Sequence, residues 1–246
     1  MDSPNPDTQG FVIGWAPGTV SAVRIALGNE YTPTPLNTTR AVLEILLRLA
    51  VAGAAWALIV AMRAATRSTP THATWRTQLK VFLVAMAAIA TGFGAHSIIS
   101  ALFGLTMRGY PQPDYDTPVS FTLDLVSSMA AGPSEELALM ALVVTALRTN
   151  GYSWRVVCIT AIILRVPFHL YYGWGAAGLS LWAALIIALY RRTNALLAIV
   201  AAHATFNALN YPDGVGPAIK AVLIIIGFAI ALRHIRLFGH PVGVMG

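Results

Sequence analysis

The stretch LKVFLVAMAAIATGFGAHSIISALFGL, Leu79 to Leu105, carries one formal charge, at Lys80, and is otherwise almost wholly apolar. About 20 apolar residues in a helix span the hydrocarbon of a bilayer. Comparable segments run from Ala41 to Met62, Val119 to Arg148, Trp154 to Tyr172, up to Tyr190, Asn194 to Asn210 and Gly216 to Leu232. Only helices or closed barrels satisfy their own backbone hydrogen bonds in lipid, and runs of this length read as helices. The expected fold is all-α, a polytopic transmembrane helical bundle of about seven to eight spans.

Composition agrees. Of 246 residues, 57% are hydrophobic and 11% charged, against about 25% charged in soluble domains. The mean hydropathy of +0.67 describes more apolar surface than one core can bury. The net charge is +6, yet the basic residues sit in short loops between apolar segments. Topology and lipid headgroups explain them better than nucleic acid, which is not expected as a partner. The single cysteine, Cys158, excludes an intramolecular disulfide and a multi-cysteine metal site. Residues 1–35 read as an N-terminal tail with one short interfacial helix in Phe11–Leu27, and residues 36–240 as the membrane domain. Met1–Gly10 has no basic n-region, so insertion is expected through the spans themselves.

Basic residues favour the cytoplasmic side. Arg63, Arg67, Arg76 and Lys80 flank one short loop, Arg148 and Arg155 another, Arg191 and Arg192 a third, and Arg233 and Arg236 begin the tail. The alternate loops hold Asp114, Asp116 and Asp213 against Arg108. With seven spans every basic loop falls on one side, giving a cytoplasmic C-terminus and an outside N-terminus. The expected location is a cell membrane, multi-pass, of bacterial cytoplasmic type.

Ionisable groups inside spans cost roughly 2.5–3.5 kcal/mol each at a helix centre, so they mark function by default. Here they cluster: Glu135 and Glu136, then Arg165 and His169, then His203 and Asn207. Measured from the basic ends, Glu135 lies about 13 residues deep, His169 about 15, and His203 and Asn207 about 9 and 13, or roughly 14–22 Å of helix. They arrive at a similar level, as one site requires. His203 and Asn207 share a helix face, as do Arg165 and His169. Gly132-Pro133 interrupts the third span, and a helix break or restart is expected there because proline removes a backbone donor.

The run Gly132-Pro133-Ser134-Glu135-Glu136, the pair Phe168-His169, and His203-Ala204-Thr205-Phe206-Asn207 resemble the three motifs of the CAAX prenyl endopeptidase and bacteriocin-processing family. Those motifs are a double Glu, a lone His and His-x-x-x-Asn on successive helices. The resemblance covers roughly residues 119–210. It implies an intramembrane endopeptidase of glutamic, metal-independent type, with no cofactor. Glu135 is then the general base, His169 orients the water, and His203 with Asn207 stabilises the oxyanion. One departure is plain: the family's Arg, four residues after the second Glu, is Met140 here. The expectation is that Arg165 supplies that charge to Glu136.

Other readings stay open on the residues alone. Glu135-Glu136 with Arg165 is also a structural ion pair in form, His169 a core histidine, and His203 with Asn207 interhelical hydrogen bonding. A His₂-carboxylate zinc site from Glu135, His169 and His203 lacks the usual His-Glu-x-x-His helix. A proton-coupled transporter needs polar groups reaching both faces. A noncatalytic scaffold or immunity protein fits the loss of Arg at Met140. Glu44 with Arg48 reads as a structural pair, His96 as a core histidine, and Asp124 and Lys220 as snorkelling groups near span ends. The expected partners are the bilayer and a peptide or protein substrate, membrane-associated or not.

Overall fold

A computed structural model of the chain describes residues 16–28, 38–66, 73–107, 117–211 and 214–233. Among them there is no strand. The helices are α1 Ala16–Ala26, α2 Thr38–Ala65, α3 Trp75–Leu102, α4 Pro118–Glu135, α5 Val143–Thr149, α6 Trp154–Phe168, α7 Leu179–Thr193, α8 Leu196–Ala208 and α9 Val215–Arg233. A π-helical stretch, Glu136–Leu142, joins α4 to α5 as one rod, Pro118–Thr149. Five elements are long and apolar enough to cross a membrane: Thr38–Ala65, Trp75–Leu102, Pro118–Thr149, Trp174–Thr193 and Val215–Arg233. The described chain is therefore an all-α helical membrane bundle. The other two expected spans, α6 and α8, are 15 and 13 residues long.

Local chemistry sets the ends that matter. Thr117 and Ser120 cap α4 reciprocally, each side-chain oxygen accepting from the other's backbone N–H at 3.1 Å. Two of the donors a helix start leaves unpaired are thereby satisfied. α6 stops at Phe168, and two 3₁₀ turns, Leu170–Tyr172 and Trp174–Gly178, carry the chain around to α7. Gly173 between them has φ +98°, a conformation side chains rarely adopt.

The expected break at Gly132-Pro133 does not occur there. The helix continues through both residues, and irregularity begins at Glu136 as the π stretch. One missing proline N–H removes one hydrogen bond, which a packed helix tolerates. Ser134 starts no new segment; its hydroxyl donates back to Ala131 O at 3.1 Å. Gly132 instead permits α4 to lie against α8. A Cβ there would stand 2.7 Å from Ala204 N and 2.9 Å from Val200 O. That close approach lets side chains of α4 and α8 meet.

One end of the bundle is rich in arginine. Arg63 at the end of α2 donates to Tyr190 OH near the end of α7 at 2.8 Å. The guanidinium groups of Arg148 and Arg191 lie 5.1 and 5.0 Å from the Trp154 ring centre. The ends of α2, α5 and α7 and the start of α6 thus share one end. Arg67, Arg108, Asp114, Asp116, Asp213 and Arg236, which entered the charge comparison, lie outside the described residues. α1 falls within the segment expected to hold a short helix. It packs on α6 and the Leu170–Tyr172 turn, with Ala22 and Ile25 buried.

Candidate active site

α2, α3, α4, α6, α7, α8 and α9 all contribute to the wall of a cavity of about 610 Å³ that Glu135, His169, His203 and Asn207 line. All four come from the segments singled out by their polar residues. His169, His203 and Asn207 are each held by a separate hydrogen bond.

Glu136 is the buried centre of the polar network. Its side chain is 0% exposed, and its Oε1 accepts from Arg165 Nη2 and from His203 Nδ1, both at 2.9 Å. A carboxylate only accepts, so the Nδ1–H of His203 is the donor. That bond fixes the ring and leaves Nε2 as its remaining polar atom. Arg165, itself 2% exposed, stands where burying Glu136 uncompensated would be costly. The Met140 position is buried and apolar in this chain. The cation that meets Glu136 is the Arg165 guanidinium from α6.

Glu135 differs from its neighbour. It lines the cavity, and its Oε2 lies 3.8 Å from His169 Nε2. His169 Nδ1 is 2.9 Å from the Arg165 carbonyl. A carbonyl only accepts, so Nδ1 carries the proton and the neutral ring has its lone pair on Nε2. Two acceptors thus face each other at a separation too long for a direct hydrogen bond. A water molecule seated beside the pair can donate one hydrogen to each and keep an oxygen lone pair free.

Asn207, one turn beyond His203 on α8, donates from Nδ2 to Ser128 O at 3.1 Å. An amide NH₂ has a second hydrogen, and Asn207 lines the cavity. His203 and Asn207, one turn apart on α8, therefore offer a pair of polar edges to the cavity that Glu135 and His169 also line.

Trp182 carries no polar signal in the sequence, yet it holds the site's shape. Its ring is 1% exposed and meets His203 edge to face at 5.0 Å and His169 at 5.6 Å between centres. The Arg165 guanidinium lies 4.4 Å from its centre. Gly92 makes room for it, since a Cβ on Gly92 would fall 2.5 Å from Trp182 Cβ. Tyr172 stacks on His169 at 6.2 Å, and Phe93 stacks on Phe206 at 5.6 Å. These rings form the apolar part of the cavity wall.

The other polar residues fall where their surroundings allow. Glu44 and Arg48 pair at 2.8 Å, and Arg48 also lines the cavity. His96 is buried on α3, 6.0 Å from the Tyr172 ring. Asp124 does not snorkel: it is buried and accepts from Tyr211 OH at 2.8 Å. Lys220 turns to the cavity and donates to Asn210 Oδ1. Among the described residues no three His, Cys, Asp or Glu side chains gather as a cation site.

The fold and the site define a polytopic membrane protein with a glutamate–histidine cavity enclosed by its helices. The family described as Rce1-like, Type II CAAX prenyl endopeptidase Rce1-like, matches over residues 117–209. This bears out the resemblance carried by the three motifs, supports the CAAX endopeptidase and bacteriocin-processing family, and points to a membrane protease in general terms. Comparison with curated proteins and with solved structures gives no match.

Proposed function

We propose that this chain is an intramembrane endopeptidase in which Glu135 activates water. The observation that carries it is the 3.8 Å separation of Glu135 Oε2 and His169 Nε2 inside a cavity that His203 and Asn207 also line. Water bridging the two acceptors from the cavity side loses a proton to Glu135 as its oxygen attacks the peptide carbonyl. His203 Nε2, when protonated, and the second Asn207 N–H donate to the oxyanion. Glu135 then passes the proton to the leaving amine. Glu136 and Arg165 hold the imidazoles in place from outside the cavity lining, and Trp182 packs on both rings. No step calls for a metal or a cofactor.

The substrate is a peptide or protein segment entering from the end of the bundle away from the arginines. Along α8 the cavity wall runs from His203 to Asn210, and along α4 it runs back from Glu135 to Ser128. Both directions lead away from Arg148 and Arg191. With arginines on the cytoplasmic side, the cavity lies in the outer half of a bacterial cytoplasmic membrane. Confinement to one half also favours a hydrolase over a transporter, whose polar path must reach both faces.

The test is purified protein in lipid nanodiscs, incubated with a peptide library, wild type against Glu135→Gln. Cleavage by the wild type, unaffected by EDTA and abolished in the variant, is the expected result. Equal product from both proteins removes Glu135 from the chemistry, and activity lost to EDTA replaces the mechanism with a metal-dependent one.

A further inference from the structure

Lys220 is a cation in the first turns of α9, a helix apolar enough to span a membrane. Snorkelling to the nearer interface is the low-cost arrangement for such a lysine. Lys220 reaches toward the exposed Asn210 at the α8–α9 end of the bundle and also lines the cavity. Its ammonium lies 3.6 Å from the centre of the Phe206 ring, donates to Asn210 Oδ1, and lines the cavity that holds Glu135. Among the described residues no carboxylate lies within ion-pair distance of it. The other cation on the cavity wall, Arg48, is already bonded to Glu44.

Phe206 and Asn210 come from α8 and the turn after it, the same segment that presents His203 and Asn207. Both contacts hold the ammonium through an amide oxygen and a ring face, and among the described residues neither contact neutralises its charge. An ammonium has three hydrogens, and Asn210 uses one. From His203 to Asn210 is about seven residues, roughly 10 Å along a helix. An extended peptide covers that distance in about three residues.

We infer that Lys220 is a specificity-determining residue that binds a carboxylate of the substrate, a few residues from the bond that is cut. The assignment rests on the peptidase proposal. The ligand is an Asp or Glu side chain or the chain's terminal carboxylate, held by charge-assisted hydrogen bonds in a partly dry site. Arg48, neutralised by Glu44, adds polarity to the wall without serving as the anchor.

The experiment uses the full chain in nanodiscs of neutral phosphatidylcholine and, separately, of anionic phosphatidylglycerol. Two libraries of random decapeptides serve as probes, one with free C-termini and one amidated, and products are sequenced by mass spectrometry. The wild type should enrich a carboxylate at a fixed offset of about two to four residues from the cut. Lys220→Gln should lose that enrichment, with kcat/KM falling about ten- to a hundredfold on acidic peptides and little on neutral ones. Lys220→Arg should retain the preference, and Lys220→Glu should favour Lys or Arg at that offset. Melting temperature in detergent checks folding, and the ratio of acidic to neutral cleavage is insensitive to the fraction folded.

An unchanged ratio in Lys220→Gln overturns the assignment while Glu135→Gln still tests the peptidase itself. A lysine effect seen only in phosphatidylglycerol also overturns it and assigns the lysine to lipid phosphate. Should the wild type cut nothing, the peptidase proposal fails, and binding of the pooled fluorescent acidic and amidated peptides decides Lys220 separately. Tighter binding of the acidic pool that Lys220→Gln abolishes supports the anion site; equal binding removes it.

Discussion

Arg165 on α6 reaches Glu136 across the helix interface at 2.9 Å, both side chains nearly sealed from solvent. We propose that the pair supplies, from the next helix, the charge that the family's motif carries where this chain has Met140. Breaking a buried pair by removing one partner costs roughly 3–5 kcal/mol, because the other charge stays buried and alone. Arg165→Met is therefore expected to lower the melting temperature in detergent and to leave Glu136 with His203 as its one described partner. Adding Met140→Arg to that variant should recover stability and part of the activity, since the guanidinium returns to Glu136 from one turn along its own helix. If Arg165→Met keeps both stability and activity, the compensation is wrong.

Asn207 offers a cleaner separation of chemistry from folding. Its side chain is only partly buried, and its one described bond is to a backbone carbonyl. Asn207→Ala should cost about 100- to 1,000-fold in kcat, as expected for one oxyanion donor. KM and melting temperature should change little. Steady-state kinetics on any cleaved peptide reads this directly. A rise in KM with kcat intact would make Asn207 a binding residue instead.

These variants show how much was legible beforehand. Glu135, His169, His203 and Asn207 stand out in the sequence because polar groups in apolar helices are expensive. Their common cavity follows the depth comparison made from the basic loops. The Glu136–Arg165 pair was legible from charge balance. Trp182 was not, because an apolar ring in an apolar helix has no contrast with its neighbours. Nor was the inward turn of Lys220. Near a helix end, sequence does not distinguish a lysine reaching for the interface from one facing a cavity. Gly132-Pro133 announced irregularity but misplaced it by a few residues. Proline removes one donor, and packing against α8 decides where the helix yields.

Trp182 is predicted to matter as much as a residue that touches substrate. It packs on both imidazoles and on the Arg165 guanidinium. Trp182→Ala removes a fully buried ring and should cost about 3–5 kcal/mol of stability. Trp182→Phe keeps an aromatic edge for His203 and should keep most of the stability while kcat falls. Comparing melting temperature with kcat across the two variants separates ring positioning from bulk packing. Parallel losses in both measures would reduce Trp182 to core filling.

Gly132 tests whether helix proximity itself builds the site. Any Cβ at this position meets the α8 backbone, which has no flexible end to give way. Gly132→Ala should force α4 and α8 apart and cost about 1–3 kcal/mol, the usual range for overpacking. The Glu136–His203 and Asn207–Ser128 bonds both cross this interface. Activity should fall further than stability, and Ala204→Gly on the facing helix should restore some of it by relieving the side-chain part of the clash. Unchanged activity in Gly132→Ala would show that the interface relaxes without moving the polar groups.

The proposed side of substrate entry rests on two sets of residues at different levels of the bundle. Arg63, Arg148 and Arg191 mark one end through their contacts with Tyr190 and Trp154. The cavity leads the other way, through Ser128 and Asn207 to Asn210. If the arginines face the cytoplasm, a cysteine at Ser128 should react in intact cells with a membrane-impermeant maleimide. One at Thr149, beside Arg148, should react only after the cells are opened. Both are made in a Cys158→Ala background, which removes the native thiol. Blocking the Ser128→Cys thiol should also stop peptide cleavage, because the label fills the cavity that Glu135 lines. Labelling of Thr149→Cys alone in intact cells would invert the orientation and place the cavity on the cytoplasmic side.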